Sequence, residues 1–336
     1  MKMFNKNRIA WTISALFLIA VTSCSKDEPA EQSTSAGQIL FTGERAGLTV
    51  KSALIANSDF VADAGSTLKT TLHGNETWWT AVTDKTGIYS TEARTATGSG
   101  GTLGIINFEY NADNTAASTP FTATVPMYWG VASTIHNFYA YYPYNVNAPV
   151  PEPAAATVPV GVLSTQVQSI KSNFDHIGAL DFLIATPLAV ISPTNTDPTT
   201  HTYVHLVYHH LFTMLEFNIY GSGTVNGIRL TGTDLALAGA VIDIKQVTPA
   251  PGVAFTLADQ GSKATAVIVN LTTPATLTGT ATDTKVYMVI YPGYAGPCDI
   301  EFFNGGIWKN LVSKQAPAGG FLRGQKYIVT VNAGAL

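Results

Sequence analysis

Cys24 is the residue whose surroundings point most directly to chemistry. The small residues Val21-Thr22-Ser23 lead into it, and a thiol at such a junction is a nucleophile that takes a diacylglycerol as a thioether. Cleavage before Cys24 then frees its amine for a further acyl chain such as palmitate. Buried chains contribute about 0.8 kcal/mol per CH2, so several of them anchor far more strongly than one myristoyl group. The residues ahead of Cys24 are of the export type. Lys2, Lys6 and Arg8 make a positive n-region, and 9–21 is an uncharged, mostly apolar run. That run is shorter than the roughly 20 residues that span a bilayer. The competing reading, an ordinary secretory signal with a chance cysteine, leaves the small residues before Cys24 as coincidence. The expected signal peptide is 1–23, followed by a polar Pro/Glu/Gln/Ser/Thr tether over 24–37.

Four histidines, His201, His205, His209 and His210, gather next in interest. On a strand the first three share one face and span about 13 Å at ~3.3 Å per residue. Zinc needs nitrogens about 2.0–2.1 Å from one ion, so a straight row cannot close on a single metal, and no cysteine or carboxylate stands near at ligand spacing. No metal site is expected, and His210, on the opposite face, reads as a packed, hydrogen-bonded residue. Ser, His and Asp are present, but no G-x-S-x-G elbow occurs. Gly98-Ser-Gly-Gly101 has no Lys-Ser/Thr after it and is not a phosphate cradle. Asp27, Glu28 and Glu152 sit in tether or loop, without surroundings that tune an acid against a base. The chain is read as a non-enzyme without a cofactor. Trp78, Trp79, Trp129 and Trp308, with the Tyr139–Tyr144 group, admit two readings: a glycan-stacking platform or sandwich core. Adjacent strand residues point to opposite faces, so only one of Trp78 and Trp79 can be core.

Composition bounds the rest. Charged residues are 12% and hydrophobic ones 46% of 336 residues, a globular composition. The net charge of -4 is spread without a long run and argues against a nucleic-acid partner. With Cys24 lipidated, Cys298 is the one other thiol, so packing and not disulfides must hold the fold. Cys298 is expected to be a buried, small apolar residue.

The elements that must position these residues are strands. Short alternating or β-branched runs divided by Gly, Pro, Asn and Asp predict strands over 39–44, 76–82, 87–90, 104–110, 121–125, 137–142, 182–185, 204–219, 227–231, 240–245, 253–257, 264–271, 285–291, 299–303 and 326–332. No stretch carries a 3.6-residue period beyond two turns, so the fold class is all-β, a sandwich. The segments 149–159 and 192–200 read as surface loops. Asn137-Phe-Tyr-Ala-Tyr-Tyr-Pro-Tyr144 echoes Lys285-Val-Tyr-Met-Val-Ile-Tyr-Pro-Gly293, an aromatic strand stopped by Tyr-Pro. Two similar halves are therefore expected, an N-terminal sandwich over 38–198 and a C-terminal one over 199–336.

Several pieces, in order along the chain, resemble the fimbrillin (Mfa-like, type V pilin) lipoproteins of the Bacteroidetes. They are the lipoprotein signal; Ile39-Leu-Phe-Thr-Gly-Glu-Arg45; Lys85-Thr-Gly-Ile-Tyr89 after the tryptophan pair; Met127-Tyr-Trp129; Asp181-Phe-Leu-Ile-Ala185; Leu206-Val-Tyr-His-His-Leu-Phe-Thr-Met-Leu215; and Gly324-Gln-Lys-Tyr-Ile-Val-Thr-Val331. Cys24-Ser-Lys-Asp-Glu28 likewise resembles the acidic tether signal that sends such lipoproteins to the outer face of the outer membrane. The resemblance implies two transthyretin-like Greek-key β-sandwich domains in tandem, and subunits that join by donor-strand exchange. It implies that a trypsin-like protease cuts at Arg45-Ala46. The strand carrying Ile39, Leu40, Phe41 and Thr42 then leaves, and a strand from another pilus subunit replaces it. Arg45 is accordingly expected in an exposed loop, or otherwise as a solvated charge at a strand end; Arg94 is the competing cut site. A stalk subunit, a tip or accessory adhesin, a retained lipid anchor and a surface glycan-binding lipoprotein all fit this pattern. The ligand of an adhesin would be a host or bacterial surface glycan or protein.

Overall fold

Alternation of buried and exposed side chains, the period of two that a strand imposes, runs through many of the elements. The structure is a computed structural model and describes residues 37–45, 59–62, 71–73, 76–95, 107–148, 157–194, 203–245, 255–280 and 284–336. In chain order its strands are β1 (Leu40–Arg45), β2 (Val61–Ala62), β3 (Thr71–His73), β4 (Glu76–Trp78), β5 (Lys85–Ser90), β6 (Phe108–Ala112), β7 (Ser118–Thr122), β8 (Ile135–Tyr142), β9 (Thr157–Val162) and β10 (Thr165–Gln168). After a 3-10 helix at Asp175–Leu180 follow β11 (Leu183–Ala185), β12 (Leu188–Ile191), β13 (Tyr203–His210), β14 (Thr213–Asp243), β15 (Leu257–Asp259), β16 (Ser262–Leu277), β17 (Thr284–Ile290), β18 (Pro297–Asn304), β19 (Ile307–Gln315) and β20 (Lys326–Ala335). The protein is all-β, as its turn-punctuated pattern predicts.

The first sheet closes on itself. Its order is β11-β13-β1-β7-β6-β5-β8-β12, and β11 also pairs with β8, which completes a ring. Aromatic side chains fill the interior, among them Phe41, Trp79, Tyr110, Phe121, Phe138 and Tyr208. The second sheet is organised on β14, a 31-residue strand that bends and serves both sides. Its first part lies between antiparallel β17 and parallel β20. Its middle lies between β16 and β18, and its end pairs with β9 and β15. Glycines make the bends. Gly221 has φ +142 and Gly239 φ +68, conformations that favour glycine, and the register slips beside both. Cys298 lies fully buried in this second core, and burial pushes its thiol up to about 12.

The sheets and strands differ from the expected boundaries in two places. The division at 198/199 does not follow the sheets: β13 joins the first sheet, whereas β2, β9 and β10 join the second. The reason is topological. β13 runs parallel to β1, and parallel neighbours need a long crossover. Part of that crossover forms β9 and β10, strands of the second sheet, before the chain returns. The expected strand 204–219 is likewise two strands, broken at Leu211 and Phe212, while 227–231 and the 240–243 part of 240–245 belong to β14.

A third apolar cluster lies between the sheets and includes Tyr89, Tyr141, Val160, Leu237, Ile242 and Val289. Beside it, buried Glu216 meets Lys285 at 2.6 Å and Lys326 at 2.8 Å, so its charge is compensated from both neighbouring strands.

Candidate functional site

The site is the seat of β1. Gln38 bridges to Tyr128, Ile39 N donates to Met127 O at 2.9 Å, and Trp129 N donates to Gly37 O at 3.1 Å. From Leu40 to Arg45 the strand pairs in parallel with β13, and Phe41–Glu44 pairs antiparallel with β7. β1 is therefore an interior stave of the ring, hydrogen-bonded on both edges.

Its inward face reads Ile39, Phe41, Gly43, Arg45, every second residue. Ile39 and Phe41 are fully buried, and Phe41 meets the rings of Tyr110 and Phe138 edge-on at 5.0 and 5.4 Å. Leu40 and Thr42 are half-buried, so two of the four residues expected on the displaced strand carry its apolar burial. Together Ile39 and Phe41 contribute about 3–6 kcal/mol at about 1.5–3 each. Gly43 is there because nothing larger fits: a Cβ on it would stand 2.2 Å from Cε2 of Phe121.

Arg45 corrects the expectation of an exposed loop or a solvated charge. Its side chain is wholly buried. Nη2 donates to Asp84 Oδ2 at 3.3 Å, and Nη1 lies 3.8 Å from Asp181 Oδ2. The guanidinium lies 3.9 Å from the centroid of Trp79 and 5.0 Å from that of Tyr142. The carboxylates are themselves fixed. Asp84 accepts from Thr80 N at 2.8 Å and from the Tyr142 hydroxyl at 2.9 Å, and His210 Nδ1 lies 2.6 Å from Asp181 Oδ1. The cause is strand parity. β1 runs one residue past the expected end, and position 45 shares the face of Ile39 and Phe41. Asp84 and Asp181 were not legible as partners, since each precedes a strand far away in sequence.

Trp79 binds this arrangement together. Its ring meets Phe121, Tyr142 and Tyr208 at 5.0, 5.6 and 5.1 Å, and its Nε1 donates to Gly43 O at 3.1 Å. The parity argument for the tryptophan pair is visible here: Trp79 is buried and Trp78 half-buried. Of the tryptophans read as a glycan platform or core, Trp79 and Trp129 have their rings inside the core, 0% and 1% exposed. Cys24, Ala46 and His201 lie outside the described residues. Arg94 is half-buried and exchanges both backbone hydrogen bonds with Tyr128 at 2.9 Å.

The outward face of β1 is polar. Thr42 Oγ1 lies 2.9 Å from His205 Nδ1, and His205 Nε2 lies 3.1 Å from Glu44 Oε2, a cross-strand link at the surface. His209 on the same strand lies 3.2 Å from Thr186 Oγ1. Among the described residues no group of three His, Cys, Asp or Glu side chains is placed to hold a metal.

Burial, helped by the nearby Arg323 and His210, pulls His209 down to about 4. In the unfolded chain a histidine titrates near 6.5, so between about 6.5 and 4 the unfolded state binds the proton that the folded state refuses. The stability is complete above pH 6.5 and is lost as pH falls through that window. Discounted for partial exposure, the loss is about 1–2 kcal/mol. Denaturant midpoints at pH 7 and pH 4.5 should therefore diverge less in His209→Gln than in the native chain.

No curated protein matches the chain by sequence. Among solved structures, a candidate cell-adhesion protein from Bacteroides uniformis superposes with a TM-score of 0.50 at 16% identity, covering 90% of this chain and 94% of that one. A second, from Bacteroides ovatus, superposes at 0.49 and 12% identity, covering 89% and 93%. The first likeness is one of fold. The sequence itself matches the fimbrillin-like family model over residues 67–335, a span that begins after β1 and takes in Trp79, Asp84, Asp181 and His210. The chain belongs to the fimbrillin-like family.

Proposed function

We propose that this chain is a pilus or adhesin subunit, exported as a lipoprotein on Cys24, that joins its neighbours by exchanging β1 for a strand of another subunit. Family membership supports a pilus or adhesin subunit of a cell-surface appendage, a structural and not a catalytic role. The observation that carries the finer reading is the position of β1. Because it lies between β13 and β7 inside a closed ring, its removal bares two hydrogen-bonding edges and an apolar groove at once. A strand from a partner restores both, the mode known as strand addition. The partners are other pilus subunits. The lipid on Cys24 holds the precursor at the outer membrane until the cut at Arg45-Ala46 releases it into the fimbrium.

Burial of Arg45 sets a condition on that cut. A protease must take an extended segment with its arginine side chain free, so the end of β1 has to open first. An arginine-specific protease meets five arginines in the chain, Arg8, Arg45, Arg94, Arg229 and Arg323. The expected result is slow accumulation of a stable core beginning at Ala46, with a rate that tracks the opening of β1 and accelerates in mild denaturant. Cleavage confined to Arg94, or a chain that stays whole until it unfolds globally, would count against processing. The retained lipid anchor, which the buried guanidinium favours, would then be the better reading.

A further inference from the structure

We propose that the groove left by β1 selects its incoming strand by charge as well as by shape: the donor must place an arginine over Trp79, between Asp84 and Asp181, with glycine two residues before it. This rests on the strand-exchange reading and names the chemistry of the partner. Both carboxylates are only 5% exposed with β1 in place. When β1 leaves, Arg45 leaves with it. Among the described residues, the groups that face the vacated position include Asp84 from the turn before β5, Asp181 from the turn before β11, His210 and Tyr208 from β13, Tyr142 from β8, and Trp79. Asp84 keeps Thr80 N and the Tyr142 hydroxyl, and Asp181 keeps His210. The cation that answers both is gone.

A donor strand with an apolar side chain at this position would take from two buried carboxylates the guanidinium that meets them both, and breaking a buried ion pair by removing one member is strongly unfavourable. Lysine would bring the charge but not the flat guanidinium that lies 3.9 Å from the Trp79 ring while reaching two acids. Two residues earlier the groove is closed to any side chain, since a Cβ at the position of Gly43 meets the Phe121 ring. The two apolar pockets complete the pattern. The accepted strand therefore reads apolar, any, aromatic, any, glycine, any, arginine, and lies parallel to β13. A groove with apolar pockets alone would accept most β-strands; the acidic end restricts it to those bearing this cation.

The test is capture of fluorescent peptides by the full chain after cleavage at Arg45. The probes are the 37–45 peptide and its Arg45→Met, Arg45→Lys and Gly43→Val forms. The Arg45→Met and Gly43→Val peptides should bind at least about a hundredfold more weakly than the parent, with Arg45→Lys between. Equal capture of parent and Arg45→Met would overturn the selectivity and leave strand exchange standing. Failure to capture any peptide would overturn both. The intact chain gives a second measurement that needs no cut. Arg45→Met should lower the denaturant midpoint sharply, Arg45→Lys less, and Arg45→Met should cost little in an Asp84→Asn/Asp181→Asn background. An Arg45→Met loss unchanged by removing the two acids would overturn the charge argument, whether or not the protease cuts.

Discussion

Trp79→Ala is expected to cost about 3–5 kcal/mol of folding stability, the range for deleting a large buried aromatic ring. Trp78→Ala, one residue away, is expected to cost well under half of that. The difference follows from what each ring touches. Trp79 is fully buried, meets three aromatic rings edge-on, lies under the Arg45 guanidinium and donates its indole N–H to Gly43 O. Alanine removes all of these and leaves a cavity directly beneath β1. Trp129→Ala should cost a similar amount, since that ring is buried against His136 and Phe138 at 5.0 and 5.9 Å. Yet Trp129 does not touch Arg45, so only Trp79→Ala should also speed arginine-specific cleavage beyond what global destabilisation explains. Denaturant midpoints and cleavage rates on the three variants separate these effects. Equal losses at Trp78 and Trp79 would refute the assignment of faces.

What the sequence revealed and what it hid divide along physical lines. Strands with one apolar face announced themselves by alternation. The expected 137–142, 285–291 and 326–332 fall on β8, β17 and β20; Tyr142 of the first Tyr-Pro pair is the last residue of β8, and Tyr291-Pro292 directly follows β17. His210 on the face opposite His205 and His209 follows from the same period of two, and Cys298, expected in the core as the one thiol besides Cys24, is buried there. β10 was missed because its inward residues are polar. Gln166 and Gln168 are buried and hydrogen-bond through their side chains to the backbone of Val289, Tyr287 and Lys285, standing in for a neighbouring strand along β17. A pattern search that equates burial with apolarity passes over such a strand. β19 was missed although its signal was present. Asn304-Gly305-Gly306 precedes it, and φ values of +58 and +89 at the glycines make the two-residue hairpin that joins it to β18.

The candidate site around β1 is half legible in the sequence. The apolar residues of β1 and the arginine that ends it were visible in sequence, and counting by twos from Ile39 reaches Arg45 on the inner face. An arginine at an inward position is a demand for anions, but the anions come from turns 39 and 136 residues further on. Only the closure of the ring brings them there. The same closure explains why the two halves do not separate at one point in the chain. β13 has to return to β1 after the excursion into the second sheet.

Gly43→Val puts the seat of β1 under direct strain and is expected to be the most disruptive single change on the strand. The first added carbon would sit 2.2 and 2.3 Å from Cε2 and Cζ of Phe121, with Tyr208 Cε2 at 3.2 Å behind it. Phe121 cannot simply turn away, because its ring packs edge-on against Trp79 at 5.0 Å and Tyr208 at 6.2 Å. Overpacking of this kind costs about 1–3 kcal/mol in a core that yields, and more where aromatic rings fix one another. Valine is a good strand residue, so the loss would not come from backbone propensity. The strain can be relieved in one way that leaves most of the ring intact: β1 lifts out, carrying Arg45 from its two carboxylates. Gly43→Val should therefore lower the denaturant midpoint by an amount worth at least about 3 kcal/mol. It should also turn slow arginine-specific cleavage at Arg45 into rapid cleavage. Phe121→Ala in the same chain opens the space and should restore resistance at Arg45 while leaving some of the stability loss. Gly43→Val without faster cleavage would mean that β1 stays seated, and that the ring rather than the strand absorbs the clash.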